Sequence, residues 1–170
     1  MGTHYTVYCK KSVAHVTPAE LLKGVSATDL PALAKKEGVP DDQVAPALEL
    51  LHIENLKPPG FVVYRLFYRR PTMRQVDIEC WESKDDLQAI LDEELEELAA
   101  ESHPHYKPIR AHLKQCVDVI DTSVGAPPEP MGRVLAREVA RWLARLFDGI
   151  IRTGDEKWWR LDAQGEFQPL

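Results

Sequence analysis

Residues 61–82 read FVVYRLFYRRPTMRQVDIECWE, and this stretch decides the fold. β-Branched and aromatic residues fill both of its halves, which is the composition of β-strands, and Pro71 separates the halves at a turn. The stretch therefore predicts an antiparallel hairpin. A second hairpin is predicted by GIIRTG and KWWRLD, residues 149–154 and 157–162.

Helical segments surround these hairpins. Thr17 begins the first of them, with a capping box to Glu20 and proline at the first helical position, and Gly24 is expected to end it. Further helices are predicted at residues 29–37, 41–51, 84–101, 106–116 and from about Arg133 to Leu146. Further strands are predicted at residues 4–10 and 116–124.

Hairpins mixed with helices indicate an α+β fold rather than a regular βαβ winding. We predict a mixed, mostly antiparallel sheet of about five or six strands, with the long helices packed on one face. Residues 17–57 are expected to form a small helical lobe. A length of 170 residues is typical of one domain, so residues 1–170 are predicted to fold as a single α+β unit.

The composition excludes several classes of protein. The chain is 44% hydrophobic and 28% charged, as in globular domains. It has no apolar run near the roughly 20 residues of a membrane span, so no membrane partner is expected. Cys9, Cys80 and Cys116 are widely spaced and form no Cys-x-x-Cys motif, which favours a reducing compartment. We interpret the chain as cytoplasmic and bacterial.

Charge is unevenly distributed along the chain. The net charge is −6, and residues 77–101 contain eleven acidic residues and one lysine. Residues 61–76 contain four arginines and no acidic residue. An acidic total argues against general nucleic-acid binding, which depends on neutralising phosphates. The segregation indicates either internal pairing or two surfaces of opposite sign.

An arginine recurs every fourth residue in the last predicted helix, at Arg133, Arg137, Arg141 and Arg145. This spacing keeps the four guanidinium groups on one side of the helix, where like charges repel. Three interpretations remain open: a solvated face, pairing with the acidic helix 84–101 in the same chain or in a second copy, and contact with an acidic partner or a membrane surface. The membrane surface is disfavoured because the helix needs its apolar face for the core.

The sequence predicts where three side chains lie relative to the core: Glu94, Trp158 and Trp159. Glu94 lies on the apolar side of its helix, so we expect it to pair with an arginine or tyrosine at the edge of the core. A carboxylate with a perturbed pKa is the alternative. Trp158 and Trp159 are neighbours on a strand and must point to opposite faces, so one of them is expected to enter the core. The other is expected to lie outward or beneath the C-terminal residues.

The segment LPALAKKEGVPDDQVAPAL, residues 30–48, resembles a helix-turn-helix. The resemblance rests on a small residue at Ala34, a turn at Gly38, and Val39 and Val44 around the second helix. It implies a DNA-associated protein acting through residues 29–51, with bases read by the second helix. That helix lacks lysine and arginine, so a structural helical pair is the favoured interpretation.

Two other candidate sites involve polar side chains. Asp121, Thr122 and Ser123 end a strand and precede the helix of Arg133, an arrangement that suits a small anion or an enzyme acting on one. A second group could hold a metal with nitrogen and sulfur ligands, although its spacing matches no established site; it comprises His103, His105, His112 and Cys116.

The sequence contains no recognisable catalytic motif, so a non-enzymatic role is favoured, and no cofactor or metal is predicted. The leading hypothesis is a cytoplasmic protein-interaction domain, of which a toxin-neutralising binder is one form. The partner would be another protein, or a second copy of the chain. The predicted partner-binding residues are the acids Asp92, Glu93 and Glu96, with Arg137 and Arg141 as an opposing patch.

Overall fold

A computed structural model describes residues 4–56, 61–69, 74–100, 103–125 and 127–170. Within these residues the chain forms eight strands and six helices. The strands are β1 (His4–Cys9), β2 (His52–Leu56), β3 (Phe61–Arg69), β4 (Arg74–Trp81), β5 (Asp118–Val124), β6 (Gly149–Thr153), β7 (Trp158–Leu161) and β8 (Phe167–Pro169). The helices are α1 (Pro18–Ser26), α2 (Leu30–Lys36), α3 (Asp41–Leu50), α4 (Lys84–Ala100), α5 (Tyr106–Leu113) and α6 (Pro130–Leu146).

All eight strands belong to one open sheet, in the order β2-β3-β4-β5-β1-β6-β7-β8, and every neighbouring pair is antiparallel. The α+β class and both hairpins are confirmed, although the turn at 70–73 lies outside the described residues. The predicted number of five or six strands was too low. The two additional strands are β2 and β8, which form the two edges of the sheet.

The helices cover both faces of the sheet, so the prediction that the long helices share one face was wrong. On β1, Tyr5, Val7 and Cys9 point to the face covered by α6 and α1–α3, which we call the α6 face. Tyr8 points to the opposite side, the α4 face, which α4 and α5 cover. Strand side chains alternate between the two faces, and here both faces contain enough apolar residues to need a cover.

The helices α1–α3 belong to the main core. Their buried residues share one hydrophobic cluster with α6 and the sheet. The capping box predicted for α1 is present, because Thr17 and Glu20 exchange hydrogen bonds. Two features differ from the prediction: Gly24 lies inside α1 instead of ending it, and the last residues of the predicted lobe, 52–56, form an edge strand of the sheet.

The two long helices are anchored to very different extents. α6 buries ten of its residues, and Leu135, Ala136, Val139 and Ala140 are all fully inaccessible. In α4, only Leu91 and Leu98 are buried. The arginine-bearing helix is therefore the central helix of the fold, and the acidic helix is peripheral.

The adjacent tryptophans divide between the faces as expected. Trp158 is buried on the α4 face, with its ring centroid 5.3 Å from that of Tyr8. Trp159 is half-buried on the α6 face, where Phe167 of β8 packs edge-on against it. Its indole nitrogen donates to Oγ1 of Thr153 at 3.2 Å.

Candidate functional site

The outer side of α4 is an acidic surface. Five carboxylates are exposed there, and no basic group among the described residues lies within ion-pair distance of them; they belong to Asp85, Asp86, Asp92, Glu93 and Glu96. We call these five residues the acidic face of α4. The last turn of the helix contains no basic residue, although cations are favoured at that end by the helix dipole. Repulsion is therefore concentrated at Asp92, Glu93 and Glu96, because Asp85 and Asp86 lie in the first turn, where the helix dipole favours acids.

The inner acids of α4 are neutralised by one arginine of the sheet. Nη1 of Arg152 on β6 lies 2.6 and 2.8 Å from the two carboxylate oxygens of Glu94, and Nη2 donates to Glu97 at 2.9 Å. The Arg152 and Glu94 side chains are only 17% and 14% exposed. Burial and the Glu94 carboxylate raise the pKa of the Tyr8 hydroxyl. The prediction that Glu94 pairs at the edge of the core is confirmed, and this pairing fixes α4 to the sheet.

The arginine series of α6 is largely occupied by contacts within the chain. Nη1 of Arg137 lies 3.5 Å from Glu37 at the end of α2, and its guanidinium is stacked 4.9 Å from the ring centre of Phe167. Arg141 lies 2.5 Å from Glu138 and 3.8 Å from Glu166. Because the sheet separates α6 from α4, pairing of these arginines with the acidic helix of the same chain is wrong.

Glu138 is a buried carboxylate that sequence reasoning missed. It is 2% exposed, and burial raises its pKa although Arg141 and Arg137 act in the opposite direction. Its Oε2 has no hydrogen bond of good geometry, and the same holds for Nε of Arg137. A signal was present, because Glu138 follows Leu135 by three positions and precedes Trp142 by four, which places it on the apolar side of α6.

The structure does not bring together the residues predicted to hold a small anion. Thr122 is fully buried on the α6 face, where its hydroxyl donates to the carbonyl of Tyr5. Asp121 and Ser123 point to the α4 face, whereas Arg133 lies on the helix that covers the α6 face. The Asp121 carboxylate already accepts from Thr6 at 2.7 Å and repels anions.

The histidines and Cys116 form two groups: the rings of His103 and His105 lie 6.2 Å apart, and Cys116 contacts His112. His112 is buried, and its Nε2 donates to the carbonyl of Tyr8 at 2.9 Å, while burial lowers its pKa. Sγ of Cys116 contacts the backbone carbonyl of His112, and burial raises the pKa of this thiol to about 12. In the described part of the chain, no group of three or more His, Cys, Asp or Glu side chains is arranged to hold a metal ion.

The pair α2–α3 buries the residues on which the helix-turn-helix resemblance rests and exposes an acidic surface. Ala34, Val39 and Val44 are buried against the core, as the resemblance implies. The exposed side of α3 carries Asp41 and Asp42 at its N-terminus, and the helix contains no base. Carboxylates at the groove-facing end repel phosphates. The second helix also packs on β3, so its core side is unavailable to a ligand.

Comparison with known proteins supplies no relative. No protein-family model matches the chain, and neither a curated protein nor a solved structure gave a match. Across the described ranges, no helix is long and apolar enough to cross a bilayer. Functional inference therefore depends on the geometry of these surfaces.

Proposed function

We propose that the protein is a cytoplasmic, non-enzymatic interaction domain that binds a basic protein surface through the acidic face of α4. One observation carries this proposal: five exposed carboxylates on one helix form no ion pair with any basic group of the described residues. The two remaining acids of α4, Glu94 and Glu97, show that this chain neutralises carboxylates where they serve the fold.

The energetics of the helix favour a basic partner. Asp92 and Glu96 are four residues apart and Glu93 and Glu96 are three apart, and each such like-charge pair destabilises a helix by roughly 0.2–0.5 kcal/mol. A partner with lysine or arginine would relieve this repulsion. Long-range attraction would also accelerate association, in a manner that depends strongly on salt.

Arg137 and Arg141 are not part of the proposed surface. Their side chains are 14% and 21% exposed and are held by acids of the same chain. The partner-binding set is thus reduced to the acidic residues Asp92, Glu93 and Glu96, with Asp85 and Asp86 beside them.

The test is affinity capture from the native host with three forms of the protein. The wild type is compared with Asp92→Lys/Glu93→Lys/Glu96→Lys and with a control of equal charge change on α3, Asp41→Lys/Asp42→Lys/Glu49→Lys. We expect one basic partner to enrich with the wild type and the control, to be lost with the α4 variant, and to elute as salt is raised.

Retention of the same partner by the α4 variant, with circular dichroism showing a folded chain, would overturn the proposal. Absence of any enriched protein would overturn it equally. A basic toxin as the captured partner would identify the toxin-neutralising form of the function.

A further inference from the structure

A groove on the α6 face runs between α1 and the C-terminal half of α6. It consists of two cavities of about 480 and 370 Å³ that share the lining residues Gly24, Ala27, Trp142 and Leu146. These volumes fall within the roughly 300–1,000 Å³ that is typical of small-molecule sites. The sheet separates this groove from the acidic face of α4, so the two surfaces are independent.

Trp142 packs closely against α1 because residue 24 has no side chain. A Cβ atom at Gly24 would lie 1.9 Å from Nε1 of Trp142, so the indole ring occupies the space that any other residue would fill. Glycine inside a helix is less favourable than alanine by about 1 kcal/mol. The chain accepts this cost in the middle of α1, and the result is a half-buried indole between the two cavities.

Apolar surface remains uncovered in the groove. The Leu146 side chain is 49% exposed. Among the large hydrophobic residues that the structure describes, only Val117 is comparably exposed. Leu146, Trp142 and Phe147 line the larger cavity together with Val16 from the loop before α1. A ligand with an apolar or aromatic body would bury this surface.

The charged residues of the groove favour an anion. Glu138 borders the smaller cavity and is matched by Arg141, which lies 2.5 Å away. Lys23 lines the larger cavity and Arg145 lines the smaller one, and neither has an ion-pair partner in the part of the chain that the structure describes. Glu20 also lines the larger cavity, where its carboxylate accepts hydrogen bonds from Thr17 alone among the described residues, so the three basic and two acidic side chains of the two cavities leave a formal charge of +1.

We propose that this groove binds a small amphipathic anion, a carboxylate or sulfonate with an apolar body. The body packs against Trp142 and Leu146, and the anionic group is held by Arg145. A small molecule is favoured over a protein because the volumes of the two cavities match those of small-molecule sites. This site is distinct from the proposed protein-binding surface and would remain if that proposal failed.

The test uses decanoate as the ligand, at concentrations below its micelle formation, with 8-anilinonaphthalene-1-sulfonate as a fluorescent competitor. Decylammonium, which has the same chain length and the opposite charge, is measured beside it. We expect one decanoate to bind per chain, to displace the dye, and to bind at least tenfold more tightly than decylammonium, a difference of about 1.4 kcal/mol.

Two pairs of exposed residues supply matched variants. Leu146→Asn and Arg145→Gln are made in the groove, with Val117→Asn and Arg160→Gln as controls outside it. Each groove variant should weaken decanoate binding by roughly tenfold, and each control should leave it unchanged. Equal weakening by the controls, equal affinity for the two amphiphiles, or no binding at millimolar decanoate would each overturn the proposal.

Discussion

The helices α4 and α6 each have 17 residues, each is amphipathic, and they lie on opposite faces of one sheet. Their charged surfaces have opposite sign, and they differ in whether the charges are paired within the chain. The arginines at 137 and 141 of α6 are paired within the chain, whereas the acidic face of α4 forms no ion pair with the described residues. A regular charge pattern in a sequence therefore does not identify the surface that is available for binding.

The difference follows from how deeply each helix is buried. α6 crosses the centre of the sheet, so its flanks meet α2 and Phe167 of β8. Glu37, just after α2, and Glu166, just before β8, reach its guanidinium groups. α4 is anchored mainly by Leu91, Leu98 and the Arg152 pairs, so its outer side meets solvent. Like charges are tolerated on α6 because they are neutralised, and on α4 because they are hydrated.

The largest effect should come from reversing charge on α6. Arg137→Glu with Arg141→Glu would place new carboxylates beside Glu37 and the buried Glu138, and beside the more exposed Glu166. We expect the free energy of unfolding to fall by about 3–5 kcal/mol in urea denaturation. The control Arg145→Glu with Arg160→Glu changes exposed positions and should cost less than about 1 kcal/mol. A comparably small loss in the first variant would restore the interpretation of a solvated arginine face.

Arg152→Ala tests the attachment of α4. The substitution leaves Glu94 partly buried without a partner, and we expect a loss of about 2–3 kcal/mol, since the pair is not completely excluded from solvent. Hydrogen exchange should accelerate in residues 84–100 while α6 stays protected. Uniform acceleration in both helices would show that the two are not separately anchored. Arg160→Ala, on the exposed neighbouring strand, is the matched control.

Glu138→Gln sharpens the comparison through pH. Burial raises the pKa of Glu138 in the folded state above its ordinary value of 4.5. A raised carboxyl pKa stabilises the fold at low pH, and that contribution is lost as pH rises through the folded-state pKa. The unfolding free energy of the wild type, measured relative to the Gln variant, should therefore decrease between pH 4.5 and neutrality. A difference that is constant across this range would contradict the inferred burial.

The smallest effect should be a gain. Asp92→Asn with Glu93→Gln and Glu96→Gln removes repulsion on α4 and should stabilise the chain by about 0.5–1 kcal/mol, less at high salt. The control Asp41→Asn with Asp42→Asn should have the opposite sign, because these acids lie in the first turn of α3 where the helix dipole favours them. Thermal unfolding at two salt concentrations measures both.

Much of the fold was predictable because it depends on local patterns. The β-branched stretch at 61–82 and the Thr17 capping box involve interactions between near neighbours, and both appear as expected. β2 was missed because HIENL lacks a regular alternation of polar and apolar residues. It forms a strand by antiparallel pairing with β3. β8 has three residues, too few to form a pattern.

The candidate sites were harder to predict because they depend on long-range packing. The residues 121–123 do not form the predicted anion site because alternate residues of a strand face opposite sides of the sheet. Which of those sides α6 covers is known only from the order of the strands in the sheet. Gly24 reads as a helix end in the sequence, whereas in the structure it receives the indole of Trp142, more than 100 positions away in the chain. Partners so distant leave no local signal.

The position of β1 has a consequence for how the molecule forms. This strand is made early but lies between β5 and β6, and its contact partners are distant, as with Thr6 and Asp121, which are 115 positions apart. During synthesis the hairpin β3–β4 can assemble while both edges of β1 stay unpaired. We therefore expect slow folding for a chain of this size, with a period in which β1 is exposed to other chains.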